Sequence, residues 1–263
     1  ALIGIVQGIT EWLPVSSTGH MILFNEFIKM NVSETFMSTF LVVIQFGSIL
    51  AVLTIFFKKL NPFDVSKTKI QKSETIDLWI KVIIAVIPSG ILGLLFDDTI
   101  DALFFNPTTV AIALIVYGII MIMLENRNKK PSVNSFSEVS YKLAIGIGLF
   151  QCLALIPGTS RSGSTIIGAV LLGTSRYIAT EFSFFLAVPT MLGASALKLV
   201  KTGFAFSGFE WLILATGSIV AYIVSILAIK FLLDYIKKHD FKVFGYYRIV
   251  LGILVLAYFF LIK

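Results

Sequence analysis

Cysteine and charge are both scarce in this sequence. It contains one cysteine, Cys152, which excludes a disulfide framework and a metal cluster held by several thiolates. We expect Cys152 to be a small buried residue. Only 14% of the 263 residues are charged, whereas about 25% is usual in soluble proteins. The chain therefore lacks the composition of a soluble domain.

Long apolar runs take the place of charge. Apolar residues make up 57% of the chain, and its mean hydropathy is +0.94. The stretches 37–57, 106–124, 182–197 and 211–229 contain no Asp, Glu, Lys or Arg, and a helix of about 20 apolar residues crosses a bilayer. The sequence predicts an all-α, polytopic membrane protein with six full transmembrane helices, at about 37–57, 78–96, 106–125, 179–200, 210–233 and 244–262.

Two further apolar stretches, about 1–30 and 142–175, are each interrupted by a proline followed by hydroxyl and glycine residues. Pro14 and Pro157 each remove a backbone donor, and the serines and threonines that follow can cap a new helix start. Each stretch should fold as two half-helices joined by a polar turn. Such backbone is tolerated at membrane depth only inside protein or along a watery cavity, so we predict two re-entrant helix hairpins.

The two interrupted stretches also look like copies of one another. Gln7 precedes Pro14 much as Gln151 precedes Pro157, and segment 38–43 resembles segment 183–188. The offsets nearly agree, because 157 minus 14 is 143 and 183 minus 38 is 145. One hairpin plus three spans ends on the opposite side of the membrane, so the second copy is inserted upside down. We predict one membrane domain, 1–263, with an inverted-topology repeat: repeat one about 1–130 and repeat two about 138–263.

The loops indicate the orientation of the chain. Loops 58–77, 126–142 and 234–243 are rich in lysine and arginine, loop 97–105 carries three aspartates and no base, and loop 201–209 carries only Lys201. The basic side is cytoplasmic by the positive-inside rule, which explains the net charge of +6 better than a nucleic-acid partner does. Both chain ends then lie outside, and the abrupt start at Ala1 is expected to be a trimmed start rather than a signal peptide.

Ionisable groups inside these apolar stretches point to a site. Gln7 and Glu11 are four residues apart and share a helix face, and after the first break Ser17 and His20 are three apart, next to Ser16. These spacings predict one polar cluster in the first hairpin.

In the second hairpin Arg161 and Thr165 are four apart, with Ser160, Ser162 and Ser164 around them. Two half-helix N-termini and a guanidinium aimed at a common point suit phosphate oxygens, so a diphosphate fits this site. An ionisable group in lipid costs about 2.5 to 3.5 kcal/mol. The alternative is a buried salt bridge between Glu11 and Arg161 that only locks the hairpins together, and Gln7 could merely cap or bridge helices.

Other polar and aromatic residues are expected to sit at the membrane interface. Long cationic side chains near span ends reach the interface, and tryptophan and tyrosine anchor there. The cationic residues are Lys58, Lys81, Lys198, Lys230 and Arg248, and the aromatic residues are Trp12, Trp79, Trp211, Tyr246 and Tyr247. Trp12 adjoins Glu11 and could instead wall the pocket.

The segments QGITEWLPVSSTGH, residues 7–20, and PGTSRSGST, residues 157–165, resemble the two signature motifs of the BacA-type undecaprenyl-diphosphate phosphatases. The resemblance covers nearly the whole chain. It implies dephosphorylation of the C55 lipid carrier diphosphate with a divalent cation, Mg²⁺ or Ca²⁺. By the same resemblance, Glu11 is the essential acidic residue, Ser17 and His20 the nucleophile and base, and Arg161 the phosphate-gripping arginine, with Ser160 and Thr165 as further hydroxyls. Gln7 stands where the family also has Glu, so Glu11 is the only carboxylate of the cluster.

The expected function is therefore a phosphatase that recycles the lipid carrier for cell-wall synthesis and confers bacitracin resistance. Whether Ser17, His20 or water attacks phosphorus stays open at this level, since the residues fit each role. A transporter or flippase of a polyprenyl phosphate is the alternative, because inverted repeats with broken helices are typical of transporters. The expected partners are a polyprenyl diphosphate and membrane lipids, no nucleic acid, and a second copy of the chain as a candidate. The expected location is the bacterial inner membrane, with the active site facing outward.

Overall fold

The computed structural model describes residues 1–28, 30, 32–127, 129–203 and 206–261. In these parts the chain forms helices and turns, and the only β-type pairing is an isolated bridge between Val133 and Thr174. The helices are α1 Leu2–Thr10, α2 Ser17–Phe27, α3 Glu34–Ile55, α4 Phe57–Leu60, α5 Lys69–Phe104, α6 Pro107–Asn126, α7 Tyr141–Cys152, α8 Arg161–Leu171, α9 Arg176–Thr202, α10 Gly208–Ile236 and α11 Lys242–Leu261.

Six of these helices are long and apolar enough to cross a membrane: Glu34–Ile55, Lys69–Phe96, Pro107–Asn126, Arg176–Thr202, Gly208–Ile236 and Lys242–Leu261. They confirm the six predicted spans, although residue 262 of the last span lies outside the described residues. One boundary differs. Segment 97–105, predicted to be a loop, is helical as far as Phe104 because nothing breaks the helix before Asn106, whose side chain caps α6.

Both interrupted stretches break where the prolines predict. Ser16 and Ser160 are the two non-glycine residues with positive φ in the described chain, and both have φ of 73°. Each serine caps the half-helix that follows: Ser16 Oγ accepts from Gly19 N and Ser160 Oγ from Gly163 N. The two breaks thus share one local structure, 144 residues apart. Two short half-helices therefore replace a span at each place.

The two halves of the chain pack reciprocally. Helix α1 of the first half lies against α10 of the second, and α7 of the second half lies against α5 of the first. Helices α3 and α9, and likewise α6 and α11, pack against each other. An inverted repeat would produce this exchange of partners. The inverted repeat itself and the re-entry of the hairpins stay predictions.

Helix α9 forms the centre of the larger core. Phe182, Phe184, Phe185 and Leu186 are fully buried there, and Phe184 packs edge-on against Trp12, with ring centroids 5.1 Å apart. Trp12 is 0% exposed, which excludes an interfacial anchor and leaves the alternative that it lies inside the protein beside Glu11.

Close helix crossings require glycine at two positions, which gives a stability prediction. A Cβ on Gly148 of α7 would lie 2.1 Å from the Ala85 carbonyl oxygen of α5, and a Cβ on Gly47 would lie 2.1 Å from the Ser218 carbonyl oxygen. We expect Gly148→Ala to force α5 and α7 apart and to cost about 1 to 3 kcal/mol, measured as a lower thermal midpoint in detergent. Gly193→Ala, where nothing lies within 4 Å of the added Cβ, is the control. Equal midpoints for the two variants would contradict the prediction.

Candidate active site

Glu11 lies where the two breaks meet. Its Oε2 accepts hydrogen bonds from Gln7 Nε2 at 2.9 Å and from Ser17 Oγ at 3.3 Å. Its Oε1 is 3.0 Å from Arg161 Nη2 of the second break. One carboxylate therefore joins residues of both motifs, as the spacing of the first motif predicts for Gln7, Glu11 and Ser17.

Arg161 is held on the other side of its fork by α9. Its Nη1 donates to the Ser183 carbonyl oxygen at 2.7 Å, and its Cζ lies 5.5 Å from the centroid of the Trp12 ring. The arginine and glutamate side chains are 11% and 8% exposed. The buried salt bridge considered from the sequence is thus present, and Trp12 forms a wall beside it.

A cavity of about 530 Å³ opens beside this ion pair. Its lining is polar where the two breaks meet and mostly apolar along α5 and α9. The polar residues are Glu11, Ser17, Thr18, Gln45, Ser89, Gln151, Ser160, Arg161 and Thr190. The apolar wall includes Val86 and Leu94 of α5 and Pro189 and Leu197 of α9. A charged pole with an apolar wall suits a lipid that carries a phosphate headgroup.

The other predicted binding residues support the turns around the cavity. Ser16 is buried and caps α2, and Ser162 Oγ donates to the Leu13 carbonyl oxygen at 3.3 Å, which ties the two breaks together. Thr165 Oγ1 lies 2.7 Å from Ser183 Oγ, next to the carbonyl that Arg161 binds. Of the predicted substrate-binding residues, Ser160 lines the cavity itself.

His20 does not join this cluster. Its Nδ1 is 2.7 Å from the Ser16 carbonyl oxygen and its Nε2 is 2.7 Å from the Tyr247 hydroxyl, with the two rings stacked at 5.6 Å. A carbonyl can only accept, so Nδ1 carries a proton, and in the neutral imidazole Nε2 then accepts from Tyr247. Residues three apart on a helix point about 60° from each other, so Ser17 faces the cavity while His20 faces α11.

Arg248 is the functional residue that the sequence interpretation missed. Its side chain is 0% exposed, so its prediction as an interfacial residue is wrong. Nη1 donates to the Pro14 carbonyl oxygen at 3.2 Å, and Nη2 donates to the Gly158 and Thr159 carbonyl oxygens at 3.0 and 2.9 Å. Broken helices leave carbonyls without intrahelical donors, and Arg248 satisfies those of both breaks. The sequence did contain one signal for this burial, because Arg248 is the seventh residue of a largely apolar helix, α11.

The donor set fits a divalent cation only in part. Across the described residues no group of three or more His, Cys, Asp and Glu side chains could hold a metal. Glu11 is the single carboxylate among the described residues that line the cavity. Mg²⁺ is usually bound through about one or two carboxylates together with substrate phosphates. These residues therefore fit an ion that arrives with the substrate, rather than one held by the protein alone.

Comparison with known proteins identifies the family of this chain. The family model described as bacitracin resistance protein BacA matches residues 1–254. The chain is 78% identical over 261 residues to undecaprenyl-diphosphatase 1 of Clostridioides difficile (strain 630), covering 99% of this chain and 95% of that protein. It is 60% identical over 259 residues to the undecaprenyl-diphosphatase of Enterococcus faecalis, covering 97% and 94% of the two chains.

Proposed function

This chain belongs to the BacA family of bacitracin resistance proteins, and on that premise we propose how its residues hydrolyse undecaprenyl diphosphate. Its relatives are undecaprenyl-diphosphatases, and the same activity follows here: release of inorganic phosphate and return of undecaprenyl phosphate for cell-wall synthesis. The observation that carries the mechanism is the meeting of Ser17, Glu11 and Arg161 on one cavity wall. A transporter would need the anion site but not the serine beside a carboxylate.

Substrate binding begins with Arg161. The guanidinium fork matches two phosphate oxygens better than one carboxylate oxygen, so the terminal phosphate competes with Glu11 for Nη2. The starts of α2 and α8 add backbone N–H groups and the positive ends of two helix dipoles. Binding thus separates the ion pair seen in the structure and leaves the Glu11 carboxylate able to accept a proton.

Ser17 is the nucleophile in this proposal, because it lines the cavity and donates to Glu11 whereas His20 faces Tyr247. Ser17 Oγ bonds to the terminal phosphorus while its proton passes to Glu11. The bond from that phosphorus to the bridging oxygen breaks, and undecaprenyl phosphate leaves with the bridging oxygen. Water then attacks the phosphoserine, and the bond from phosphorus to Oγ breaks as Glu11 returns a proton to Ser17. One proton of the water stays on the departing inorganic phosphate, and the other passes through Glu11 to solvent.

His20 is a positioning residue in this scheme. Its Nδ1–H group binds the carbonyl of Ser16, the residue that caps α2 and immediately precedes the nucleophile. Tyr247 fixes the ring from the other side. The imidazole therefore holds the turn from which Ser17 projects.

A divalent cation, Mg²⁺ or Ca²⁺, would be held by Glu11 together with the phosphates of the substrate. Its chemistry would be to neutralise charge on the phosphate oxygens. Among the cavity residues that the structure describes, Glu11 has no second carboxylate beside it. This supports an ion that binds with the substrate, so we expect the apparent metal affinity to rise with substrate concentration.

We place the active site in the outer half of the bacterial inner membrane. The cavity is lined by residues 86–94 of α5 and 189–197 of α9, which lead to the ends of those helices at Phe104 and Thr202. Those ends adjoin the two regions that carry few basic residues, and basic loops mark the cytoplasmic side. The apolar wall would take the first isoprene units of the lipid.

The assay is phosphate release from undecaprenyl diphosphate by the purified protein in detergent, with and without chelator. We expect Ser17→Ala to lose about 10³-fold or more in kcat, as nucleophile removal does in other enzymes. His20→Gln should lose less than about 10²-fold, because a general base contributes about 10² to 10⁴-fold.

Ser225→Ala is the matched control, since this buried serine donates to the Gly8 carbonyl oxygen away from the cavity. Its activity should stay near that of the wild type. A Ser17→Ala variant that is folded and active would refute the nucleophile, and folded wild type that releases no phosphate would refute the mechanism as a whole.

A further inference from the structure

Gln151 lines the cavity, and only the nitrogen of its side-chain amide makes hydrogen bonds in the described part of the chain. It lies in the last turn of α7 and is 2% exposed. Its Nε2 donates to Ser89 Oγ at 2.6 Å and to Thr190 Oγ1 at 3.3 Å. Gln7, at the matching position of the first half, instead donates to Glu11. The two glutamines therefore have different hydrogen-bond partners.

The two hydroxyls fix which way the Gln151 amide points. Ser89 Oγ donates to the Val86 carbonyl oxygen at 3.1 Å, and Thr190 Oγ1 donates to the Leu186 carbonyl oxygen at 2.8 Å. Each hydroxyl has one hydrogen, so towards Gln151 both can only accept. The amide nitrogen is thus turned to the hydroxyls and Oε1 is turned away from them. Oε1 is buried without a hydrogen-bond partner in the described part of the chain, although Gln151 lines the cavity.

Gln151 and Arg161 have neighbouring contacts on α9. Met191 Sδ is 4.0 Å from Arg161 Nη2, and the residue before it, Thr190, is the one that holds the Gln151 amide. Consecutive residues of α9 therefore contact the guanidinium and the carboxamide. Both residues line the same cavity.

An amide oxygen accepts hydrogen bonds and donates none, so it disfavours phosphate oxygens and needs a donor. The donor that a hydrolysis reaction supplies is water, and a glutamine that orients the attacking water is known in other phosphoryl-transfer enzymes. Leaving a buried acceptor unsatisfied is unfavourable. These observations favour a water site on this part of the wall.

We propose that Gln151 Oε1 positions the water that hydrolyses the phosphoserine at Ser17, which rests on the proposed function. The water donates one hydrogen to Oε1, and its oxygen bonds to phosphorus as the bond to Ser17 Oγ breaks. That first hydrogen stays with the released phosphate. The second passes to Glu11, which gives its own proton to Ser17 Oγ and then releases the new proton to solvent, so that its carboxylate is restored.

The test replaces Gln151 with methionine, which keeps the length of the side chain and removes the acceptor. Only the step that uses water slows, so kcat falls by about 10- to 100-fold. The value of kcat/KM, which reports formation of the phosphoserine and not its hydrolysis, stays within about threefold of wild type. Rapid-quench measurements then show a burst of undecaprenyl phosphate, one per enzyme, without matching inorganic phosphate, and mass spectrometry finds phosphate on Ser17.

Two further variants keep the test decisive. Ser48→Ala also removes a buried polar atom without a partner, but Ser48 does not line the cavity, so its kinetics match wild type. Thr190→Val keeps Gln151 but removes one hydroxyl that orients its amide, so it gives the same burst with a smaller loss of kcat. If Gln151→Met fails to fold, this variant tests the role of Gln151. Unchanged kcat, or a loss of kcat and kcat/KM together without a burst, overturns the role of Gln151. Full activity in folded Ser17→Ala would instead overturn the proposed phosphoserine mechanism, on which the role of Gln151 rests.

Discussion

Arg161→Lys lowers kcat/KM for undecaprenyl diphosphate by about 10²- to 10³-fold, although the charge is kept. Removing one preorganised donor to a developing charge costs this much in other enzymes. Lysine is a point charge, and it cannot bind Ser183 and a phosphate in the fixed fork that Arg161 uses. The measurement is phosphate release at several substrate concentrations.

Arg176→Lys provides the matched comparison. Arg176 also forms a forked ion pair with a buried glutamate, since its Nε lies 3.0 and 3.1 Å from the two carboxylate oxygens of Glu125. That pair does not line the cavity beside Glu11. We expect activity within about twofold of wild type, because the substitution keeps the positive charge opposite Glu125 and leaves the residues that line the cavity unchanged. Equal losses in the two variants would show that Arg161 matters for folding and not for phosphate binding.

Arg248→Met destabilises the protein by about 3 kcal/mol or more and abolishes activity. The variant leaves the carbonyls of Pro14, Gly158 and Thr159 without their donor, and a buried group left unsatisfied costs about 1 to 3 kcal/mol. The two turns lose their common donor, so Ser17 and Arg161 are no longer held at one point. Thermal unfolding in detergent and phosphate release well below the midpoint are the measurements.

Lys230→Met removes a positive charge of α10 that is exposed. It should keep both the midpoint and kcat close to wild type. If Arg248→Met behaves like Lys230→Met, the arginine does not organise the turns. A lower midpoint with full activity at low temperature would assign Arg248 to stability alone.

The fold could be predicted to a large extent because the bilayer imposes simple rules. Long apolar runs, four of them without charge, gave all six spans. Pro14 and Pro157 gave both breaks, since lost backbone donors and capping serines are local features. The end of α5 was missed because Asp98 and Asp101 were taken as a loop. Aspartates near a water-facing helix end are compatible with helix, and Asn106 with Pro107 marks the real boundary.

The site was predictable where contacts are local or follow from charge. The spacing of Gln7 and Glu11 indicates one helix face, and a lone arginine opposite a lone carboxylate indicates Arg161 as the partner of Glu11. The placement of His20 against Tyr247, 227 residues away, has no local signal. The unpartnered oxygen of Gln151 likewise depends on Ser89 and Thr190 from two other helices.

By itself the sequence determined a helical membrane protein with two polar breaks that carry a carboxylate and an arginine, because burial in lipid and backbone hydrogen bonding act through short-range patterns. The tertiary structure decided which groups meet. It turned Ser17 towards the cavity and His20 away from it, and it buried Arg248 between the two breaks. Such choices depend on packing between helices distant in sequence, where a side chain takes the direction that leaves the fewest buried polar groups unpaired.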